Sequence, residues 1–319
     1  MDIMDELSKI GIVPVIAIDD ANKAVPLAKA LIAGGIPCAE VTFRTEAGEE
    51  AIRNMVAGCP EMLVGAGTVL NVEKAKKAVD AGAKFIVSPG YNDEVVKWCV
   101  DNNIPCMPGC ANPSEMTKAY NMGLKVVKIF PAEILGGLDY IKACGAALPL
   151  KFMPTGGINT KNLSSYAASD KIFACGGTWM VKKDMIEREE WDEITKICKD
   201  AIRELLGFTL AHIGINNENK DESYKLTNVL SKTFDIPIIE KSASYFAGTM
   251  FESMNLKGHG RLGHIGISTN NVDRAIYHMK KWGIEFDDST IKLDEKTKKI
   301  KLIYIKGEFG GFEIHLSQK

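Results

Sequence analysis

Several features that would assign the chain to a particular class of protein are missing from its 319 residues. No apolar run approaches the roughly 20 residues that a membrane-spanning helix needs, and the acidic N-terminal segment lacks the pattern of a secretory signal. Positive charge is not in excess, since the net charge is −2 and the pI is near 6.3, which disfavours nucleic acid and anionic membranes as partners. The eight cysteines form no CxxC pair and no disulfide-framework spacing. These absences favour a cytoplasmic protein with reduced thiols.

Histidine is also scarce, and its distribution divides the chain. All eight cysteines lie before residue 200, whereas all five histidines lie after residue 210. This segregation indicates two stretches of separate origin, and the chain is longer than the size at which a single hydrophobic core usually stops growing. We therefore predict two domains, residues 1–207 and 208–319. Acid–base chemistry in the first domain must use residues other than histidine.

The first stretch alternates short β-branched runs with segments whose apolar residues recur at helical spacing. The runs predict eight strands, at 12–18, 38–44, 62–69, 85–90, 105–109, 125–131, 151–157 and 172–179. Strands that alternate with helices indicate βαβ units and a parallel sheet. Eight such units in about 200 residues are typical of an α/β protein with a compact (β/α)8 TIM barrel. A doubly wound open sheet is the alternative.

The second stretch contains an internal repeat. LAHIGINNE at 210–218 returns as LGHIGISTN at 262–270, so that the two HIGI tetrapeptides stand 52 residues apart. Each copy continues with an amphipathic helical segment and then with strand-like runs. A repeat of this length indicates a duplicated structural unit. It predicts an α+β domain of two tandem βαβββ modules.

One lysine of the first stretch combines apolar neighbours with a position near the end of a strand. Lys128 lies in VVKIFP, where loss of hydration disfavours the ammonium form and leaves a fraction of neutral amine. The neutral amine is the form that attacks a ketone to give a Schiff base. A strand-end lysine whose ammonium group extends to solvent is the alternative.

Two charged residues share one face of another predicted strand. Glu40 and Arg44 are four residues apart in AEVTFR, so the alternation of a strand places both on the same side. A buried Glu40 would suit proton transfer, and Arg44 at the rim could hold a substrate carboxylate through two hydrogen bonds. A structural ion pair between them is the alternative.

Glycine pairs follow the last two predicted strands, in PTGGI (154–158) and CGGTW (175–179). Exposed backbone N–H groups at such strand ends can hold a phosphate. TIM barrels often bind phosphate after strands seven and eight. The two glycine pairs therefore predict a phosphate site.

Taken together, residues 8–205 resemble the 2-keto-3-deoxy-6-phosphogluconate (KDPG) and 2-keto-4-hydroxyglutarate (KHG) aldolases, class I enzymes with a (β/α)8 fold that are usually homotrimeric. The motifs that carry the resemblance are, in order, VPVIAI, AVPLAKALIAGG, EVTFRTE, VGAGTVL, FIVSPG, KIFPAE, PTGGI and GGTW. The resemblance implies Lys128 as the Schiff-base lysine and Glu40 as the general acid/base, with no metal required. The substrate-binding residues that it implies are Arg44, Thr68, Pro89, Phe130, Thr155, Gly156, Gly157, Gly176, Gly177 and Thr178. Family members often have serine in place of Thr178, whose extra methyl group crowds the phosphate end.

The same resemblance implies a carbon–carbon lyase with a small 2-keto acid as substrate. It would cleave KDPG to pyruvate and glyceraldehyde 3-phosphate, or 4-hydroxy-2-oxoglutarate (KHG) to pyruvate and glyoxylate, or both. It also implies a homo-oligomer, a trimer by family resemblance. Another phosphate-binding TIM-barrel isomerase or epimerase, or a non-catalytic small-molecule-binding protein, is the alternative.

The repeated stretch resembles the vicinal oxygen chelate superfamily, which includes glyoxalase I. Metal-dependent members of that superfamily bind a divalent ion through one His and one Glu from each module. The corresponding residues here are His212, Glu252, His264 and Glu313. Imidazole together with carboxylate suits Zn, Ni, Co, Fe or Mn. A non-catalytic module for oligomerisation or for sensing a small molecule is the alternative.

Overall fold

The computed structural model describes residues 2–319 and separates into two compact units. The first unit ends at Leu205 and the second comprises Leu206–Lys319. The division lies two residues before the one predicted from composition. Within the described residues, no helix combines the length and the apolar character needed to cross a bilayer.

The first unit alternates strands with helices along its whole length. Its strands are β1 (Ile12–Ile16), β2 (Cys38–Thr42), β3 (Leu63–Gly67), β4 (Ile86–Val87), β5 (Cys106–Met107), β6 (Gly109–Cys110), β7 (Val126–Ile129), β8 (Lys151–Pro154) and β9 (Cys175–Gly177). Its helices are α1 (Ile3–Ile10), α2 (Ala24–Ala33), α3 (Gly48–Gly58), α4 (Val72–Asp80), α5 (Asp93–Asp101), α6 (Pro113–Asn121), α7 (Gly137–Ala147), α8 (Leu163–Ala167), α9 (Lys183–Glu187) and α10 (Trp191–Leu206), and a 3-10 turn spans Ala21–Lys23.

The strands pair in parallel and close on themselves. One run has the order β5-β4-β3-β2-β1-β9 and the other the order β6-β7-β8. Bridges from Phe152 to Ile172 and from Thr155 to Gly176 join β8 to the segment of β9. The fifth strand of the barrel is split into β5 and β6 at Pro108, whose missing N–H interrupts the ladder while its carbonyl still accepts from the N–H of Lys128. The predicted TIM-barrel architecture is confirmed.

Asparagine side chains start three consecutive barrel helices. Asn71, Asn92 and Asn112 precede α4, α5 and α6, and each side-chain oxygen accepts from the backbone N–H three residues later. Such caps satisfy an N–H group that has no partner within its helix. Because each cap follows the carboxyl end of a strand, the chain turns into its helix immediately, and the strand-end side chains of neighbouring units stay close together.

The second unit contains two copies of one element order, β-α-β-β-β. The first copy comprises β10 (Thr209–Ile215), α11 (Lys220–Phe234), β11 (Ile238–Glu240), β12 (Ser244–Ala247) and β13 (Phe251–Met254). The second comprises β14 (Gly263–Thr269), α12 (Val272–Lys281), β15 (Phe286–Leu293), β16 (Ile300–Phe309) and β17 (Phe312–Gln318). They form one eight-stranded sheet of order β11-β12-β13-β10-β14-β17-β16-β15, as expected for a duplicated unit.

The two HIGI segments meet at the centre of this sheet, where β10 and β14 are antiparallel. His212 lies opposite Gly266, and His264 lies opposite Gly214. A Cβ atom at Gly214 would lie 2.1 Å from Cε1 of His264, and one at Gly266 would lie 2.6 Å from Cε1 of His212. Each glycine of the repeat therefore makes room for the imidazole of the other copy.

Candidate active site

A cavity of about 400 Å³ opens at the carboxyl ends of the barrel strands. Nearly all the residues predicted for the aldolase site line it, and Gly176 is the exception. The lining residues are Val15, Glu40, Arg44, Thr68, Pro89, Lys128, Phe130, Thr155, Gly156, Gly157, Ile158, Gly177 and Thr178. The barrel thus brings together residues from seven separate strand ends.

An amine and a carboxylate lie side by side at the base of the cavity. Lys128 on β7 is 5% exposed and Glu40 on β2 is 1% exposed, and Lys128 Nζ donates to Glu40 Oε1 at 3.1 Å. The neighbours of Lys128 along its strand, Val127 and Ile129, are completely buried. Removal of both charged groups from bulk water is costly unless they are paired, which the short contact achieves.

The second oxygen of this carboxylate takes no part in the hydrogen bond to Lys128. Within residues 2–319, Glu40 Oε2 is buried and has no hydrogen-bond partner. Gly67, on the adjacent strand β3, allows the side chain to lie there, because a Cβ atom at Gly67 would be 2.3 Å from Glu40 Oε1. A buried acceptor without a partner is uncommon, and Glu40 lines the same cavity as Lys128.

Thr68 follows Gly67 in a backbone conformation that is rare for a β-branched residue. Its φ angle is 57°, in the left-handed region that such residues avoid. Strain of this kind concentrates at functional sites, where the surrounding structure holds it. Thr68 lines the cavity.

Arg44 and Phe130 lie at the outer part of the cavity. Arg44 is exposed and lines the cavity. Phe130 is 38% exposed, and the centre of its ring lies 5.5 Å from Lys128 Nζ. The ring therefore covers one side of the amine.

Gly176 takes part in the site indirectly. A Cβ atom at Gly176 would lie 2.2 Å from Thr155 Oγ1, so the glycine makes room for the threonine side chain. Thr155 is 4% exposed, and its hydroxyl has no partner among the described residues. The glycine therefore positions Thr155 at the cavity wall, while Gly177 and Thr178 line the cavity themselves.

The loop after β8 directs backbone N–H groups away from the protein. The carbonyl of Gly156 accepts from the N–H of Glu133 at 3.1 Å, and the carbonyl of Gly157 accepts from the side-chain amides of Asn159 at 2.9 Å and Asn162 at 3.1 Å. In a trans peptide the following N–H points opposite to the carbonyl. The N–H groups of Gly157 and Ile158 therefore point away from the groups that hold these carbonyls, and both residues line the cavity.

Four residues that brace this loop were missed by sequence reasoning. Asn159 and Asn162 hold the Gly157 carbonyl, and Glu133 lies beneath Gly157, where a Cβ atom would approach Glu133 Cγ to 2.4 Å. Tyr166 donates its hydroxyl to Glu133 Oε1, and burial together with that hydrogen bond raises the pKa of the tyrosine. The signal available in the sequence was the spacing of the two asparagines immediately after the glycine pair.

A second cluster of polar side chains lies in the central sheet of the second unit. His212 Nε2 is 3.0 Å from His264 Nε2, and Glu252 Oε2 is 3.3 Å from His212 Nε2 and 3.1 Å from His264 Nε2. His315, which was not predicted, joins them with its Nε2 at 3.4 Å from His212 Nε2. Glu313 does not join them through a hydrogen bond; its Oε2 lies 2.9 Å from Nδ1 of His259.

The surroundings keep two of these imidazoles neutral near pH 7. Burial lowers the pKa of His212, and burial together with the nearby imidazoles lowers the pKa of His315 to about 3. Burial opposes ionisation of Glu252, but hydrogen bonds from His264 and Ser244 outweigh it and lower the pKa of that carboxyl overall. Neutral imidazole and ionised carboxylate are the forms that bind metal ions, so the donor set fits a divalent metal.

Comparison with known proteins matches the first unit to one family. Residues 3–197 match the family model described as "KDPG and KHG aldolase". The 2-dehydro-3-deoxy-phosphogluconate aldolase of Treponema pallidum is 43% identical over 202 residues, which are 63% of this chain and 96% of that protein.

Two solved structures share the fold of this unit. The KDPG aldolase of Legionella pneumophila, with pyruvate captured as a covalent carbinolamine, is 37% identical with a TM-score of 0.61 over 63% of this chain and 98% of the other. The aldolase of Zymomonas mobilis ZM4, with 3-phosphoglycerate, is 36% identical with a TM-score of 0.58 over 62% of this chain and 94% of the other.

Proposed function

Because the chain belongs to the KDPG and KHG aldolase family, we propose that its first unit is a class I aldolase that forms a Schiff base with pyruvate through Lys128. One observation carries the assignment of this residue. Lys128 Nζ lies 3.1 Å from Glu40 Oε1 at the base of a cavity lined by the other residues that the family resemblance implies. The pyruvate carbinolamine in the Legionella pneumophila aldolase supports the same chemistry.

The reaction begins with transfer of a proton from the amine to Glu40. The neutral Lys128 nitrogen then attacks the C2 ketone of the substrate and forms a carbinolamine. Glu40 returns its proton to the C2 hydroxyl group, which leaves as water and gives an iminium ion. Glu40 is then a carboxylate again, and the positive charge of the iminium draws electrons from the adjacent carbon. The 3.1 Å contact places the carboxylate within proton-transfer distance of the amine.

Carbon–carbon cleavage uses the same carboxylate. Glu40 removes the proton of the C4 hydroxyl group directly or through a water, the C3–C4 bond breaks, and its electron pair moves to the iminium to give an enamine. The C4 carbon leaves as an aldehyde. Glu40 then returns a proton to C3, and hydrolysis of the iminium frees pyruvate and regenerates the amine.

The two ends of the cavity suit the two ends of the substrate. Arg44 at the rim and Thr68 would bind the carboxylate of the pyruvate portion, Thr155 would bind its keto-acid part, and Pro89 and Phe130 would enclose it. The N–H groups after Gly156 and Gly157, with Gly177 and Thr178, would bind a phosphate. The 3-phosphoglycerate of the Zymomonas mobilis structure supports a phosphorylated ligand, and we therefore propose KDPG as substrate, with KHG as a second one.

Reductive trapping tests the role of Lys128. Full-length protein incubated with pyruvate and borohydride should gain one reduced pyruvyl group, and peptide mass spectrometry should place it on Lys128. The matched control is Lys125→Met, which removes an exposed lysine three residues away and should leave trapping unchanged, whereas Lys128→Met should abolish it.

Product analysis separates this proposal from the alternatives. Release of pyruvate from KDPG identifies a lyase, whereas an isomerase or epimerase would consume a sugar phosphate without release of pyruvate. A protein that neither traps pyruvate nor releases it would be a binding protein. Either of those results would overturn the proposal, and relative turnover of KDPG and KHG would establish the preferred substrate.

We propose that the chain assembles as a homotrimer, as the family resemblance implies. Light scattering should then give a mass about three times the 34.8 kDa of one chain. A mass of one or two chains at micromolar concentration would contradict this.

For the second unit we propose a vicinal oxygen chelate domain that binds a divalent metal. The convergence of His212, Glu252 and His264 supports this proposal, since their ligand atoms lie 3.0–3.3 Å apart. The βαβββ order of both halves supports it as well. The metal would supply Lewis-acid chemistry to a bound oxygen ligand. Metal analysis of full-length protein purified without chelator tests it.

A further inference from the structure

The register of the second unit identifies an unexpected counterpart of Glu252. In the first copy of the repeat, Glu252 on β13 lies opposite Gly214 on β10. In the second copy, the residue opposite the equivalent Gly266 on β14 is His315 on β17. Glu313 lies two residues before His315 on β17, opposite His264. His315 therefore occupies in the second copy the position that Glu252 occupies in the first. Glu313 does not occupy that position.

Four of the separations between the converging atoms match those around one small cation. His212 Nε2 lies 3.0 Å from His264 Nε2 and 3.4 Å from His315 Nε2, and Glu252 Oε2 lies 3.3 and 3.1 Å from the first two nitrogens. Ligands at about 2.0–2.1 Å from a tetrahedral zinc ion are about 3.3 Å from one another. All three imidazoles place one nitrogen within 4.8 Å of the other two.

Hydrogen bonds alone do not satisfy this arrangement. A neutral imidazole carries one N–H, so each Nε2 either donates one hydrogen or presents one lone pair. His212 Nε2 faces two other nitrogens and a carboxylate oxygen, and it can donate to only one of them. A cation at the centre would accept the lone pairs of all four atoms together.

Glu313 is engaged at the edge of the cluster. Its Oε2 lies 2.9 Å from Nδ1 of His259, and the ring of His259 stacks on that of Tyr304 with the centroids 3.9 Å apart. The side chains of His259 and Glu313 are 47% and 32% exposed, whereas His315 is 2% exposed. His315 is thus the buried ligand-type residue, and Glu313 is partly exposed to solvent.

We propose that His315 is the fourth protein ligand of a centre made of three imidazoles and one carboxylate, with His212, His264 and Glu252 as the others. This inference rests on the proposed metal binding of the second unit. It departs from the two-histidine, two-glutamate set that the resemblance implies. With a divalent ion the four ligands leave a net charge of +1, and the nitrogen-rich set selects Zn, Co, Ni, Fe or Cu over Mg and Ca.

Cobalt titration of the full-length chain tests the ligand set. After removal of bound metal, Co²⁺ should bind at one ion per chain and give visible d–d bands of four-coordinate cobalt. His315→Ala should lower the affinity for Co²⁺ by at least about tenfold, since even the loss of groups that merely orient ligands costs that much. The matched control Glu313→Gln, two residues away on the same strand, should retain the affinity and the bands of the parent.

A second variant keeps the test decisive if His315→Ala folds poorly, as judged by circular dichroism. His315→Glu restores a ligand at this position and should bind one Co²⁺ with shifted d–d bands, because an oxygen replaces a nitrogen. Unshifted bands would overturn the assignment of His315. So would loss of Co²⁺ from Glu313→Gln with retention in His315→Ala, although metal binding itself would stand. A parent chain that binds no Co²⁺ would overturn both proposals.

Discussion

Replacement of Glu40 by glutamine separates proton transfer from Schiff-base formation. Glutamine has nearly the same shape, and its amide oxygen can still accept from Lys128 Nζ at the position where Glu40 Oε1 lies, 3.1 Å away. Loss of the buried carboxylate removes the partner charge of the ammonium group, and an unpaired buried charge costs about 3–5 kcal/mol. The amine escapes this cost by losing its proton. We therefore expect Glu40→Gln to retain pyruvate trapping on Lys128.

Turnover of the same variant should fall steeply. Glutamine cannot take the C4 hydroxyl proton or return one to C3, and a positioned acid–base group contributes about 10²–10⁴-fold to the rate. That factor corresponds to about 3–5.5 kcal/mol of activation free energy. We expect kcat for KDPG cleavage to fall by about this factor, while KM changes by less than about threefold because no predicted binding group is removed.

Two assays on the same samples test the acid–base role of Glu40: steady-state release of pyruvate and borohydride trapping. Glu61→Gln is the control, since it makes the identical change at an exposed residue in the turn before β3, and both assays should match the parent. A Glu40→Gln enzyme that retained more than a tenth of the parental kcat would refute the acid–base role. Loss of trapping as complete as in Lys128→Met would instead show that the carboxylate is required to generate the neutral amine.

Three further outcomes follow from close contacts and burial. Gly157→Ala should raise KM for KDPG at least about tenfold, with less effect on KHG. Its Cβ would lie 2.4 Å from Glu133 Cγ, and φ at this residue is +87°, so the loop must shift. A hydrogen bond to a charged phosphate that is lost by this shift is worth about 1.5–3 kcal/mol. Cys110 is buried, and that burial raises its pKa to about 12. Its thiolate fraction at pH 8 is therefore about 10⁻⁴. Ellman's reagent should leave Cys110 unreacted until denaturant is added. Gly214→Ala should lower Co²⁺ affinity and destabilise the second unit by about 1–3 kcal/mol in thermal unfolding, because its Cβ would lie 2.1 Å from Cε1 of His264.

Each of these outcomes has a contrasting result. Equal increases in KM for both substrates would mean that Gly157 serves the whole pocket and not the phosphate alone. Rapid reaction of Cys110 in the folded protein would mean that its strand opens readily. Gly258→Ala is the control for Gly214→Ala, since its Cβ has no neighbour closer than 3.6 Å, and equal destabilisation by both changes would refute the steric argument.

The barrel was predictable because its strands are short apolar runs between helices with clear ends. The residues at the base of the cavity were predictable for a related reason. Lys128 and Glu40 are charges within apolar strands, and such charges are rare unless paired or functional. The match over residues 3–197 confirms the family that the strand-end motifs implied. The fifth strand was predicted as one run at 105–109, and the structure divides it at Pro108 because proline has no N–H for the ladder.

The bracing of the loop after β8 was not predictable in the same way. Asn159 and Asn162 have the composition of an ordinary turn, and only the folded chain shows that both amides donate to the carbonyl of Gly157. Glu133 lies 24 residues before Gly157 in the sequence but directly beneath it in the fold. Contacts of this kind depend on how neighbouring barrel units pack, which local patterns do not encode.

The difference between Glu313 and His315 has a simpler physical origin. Residue type alone matches Glu313 with Glu252, because each is a glutamate near the end of its copy. Strand pairing follows register instead, and a shift of two residues keeps a side chain on the same face while it moves along the strand by about 6.6 Å. Glu313 and His315 therefore point to the same side of β17, but only His315 occupies in the second copy the position that Glu252 occupies in the first, opposite the glycine of the HIGI segment. The two copies are therefore better superposed through the strand partners of Gly214 and Gly266 than through residue type alone.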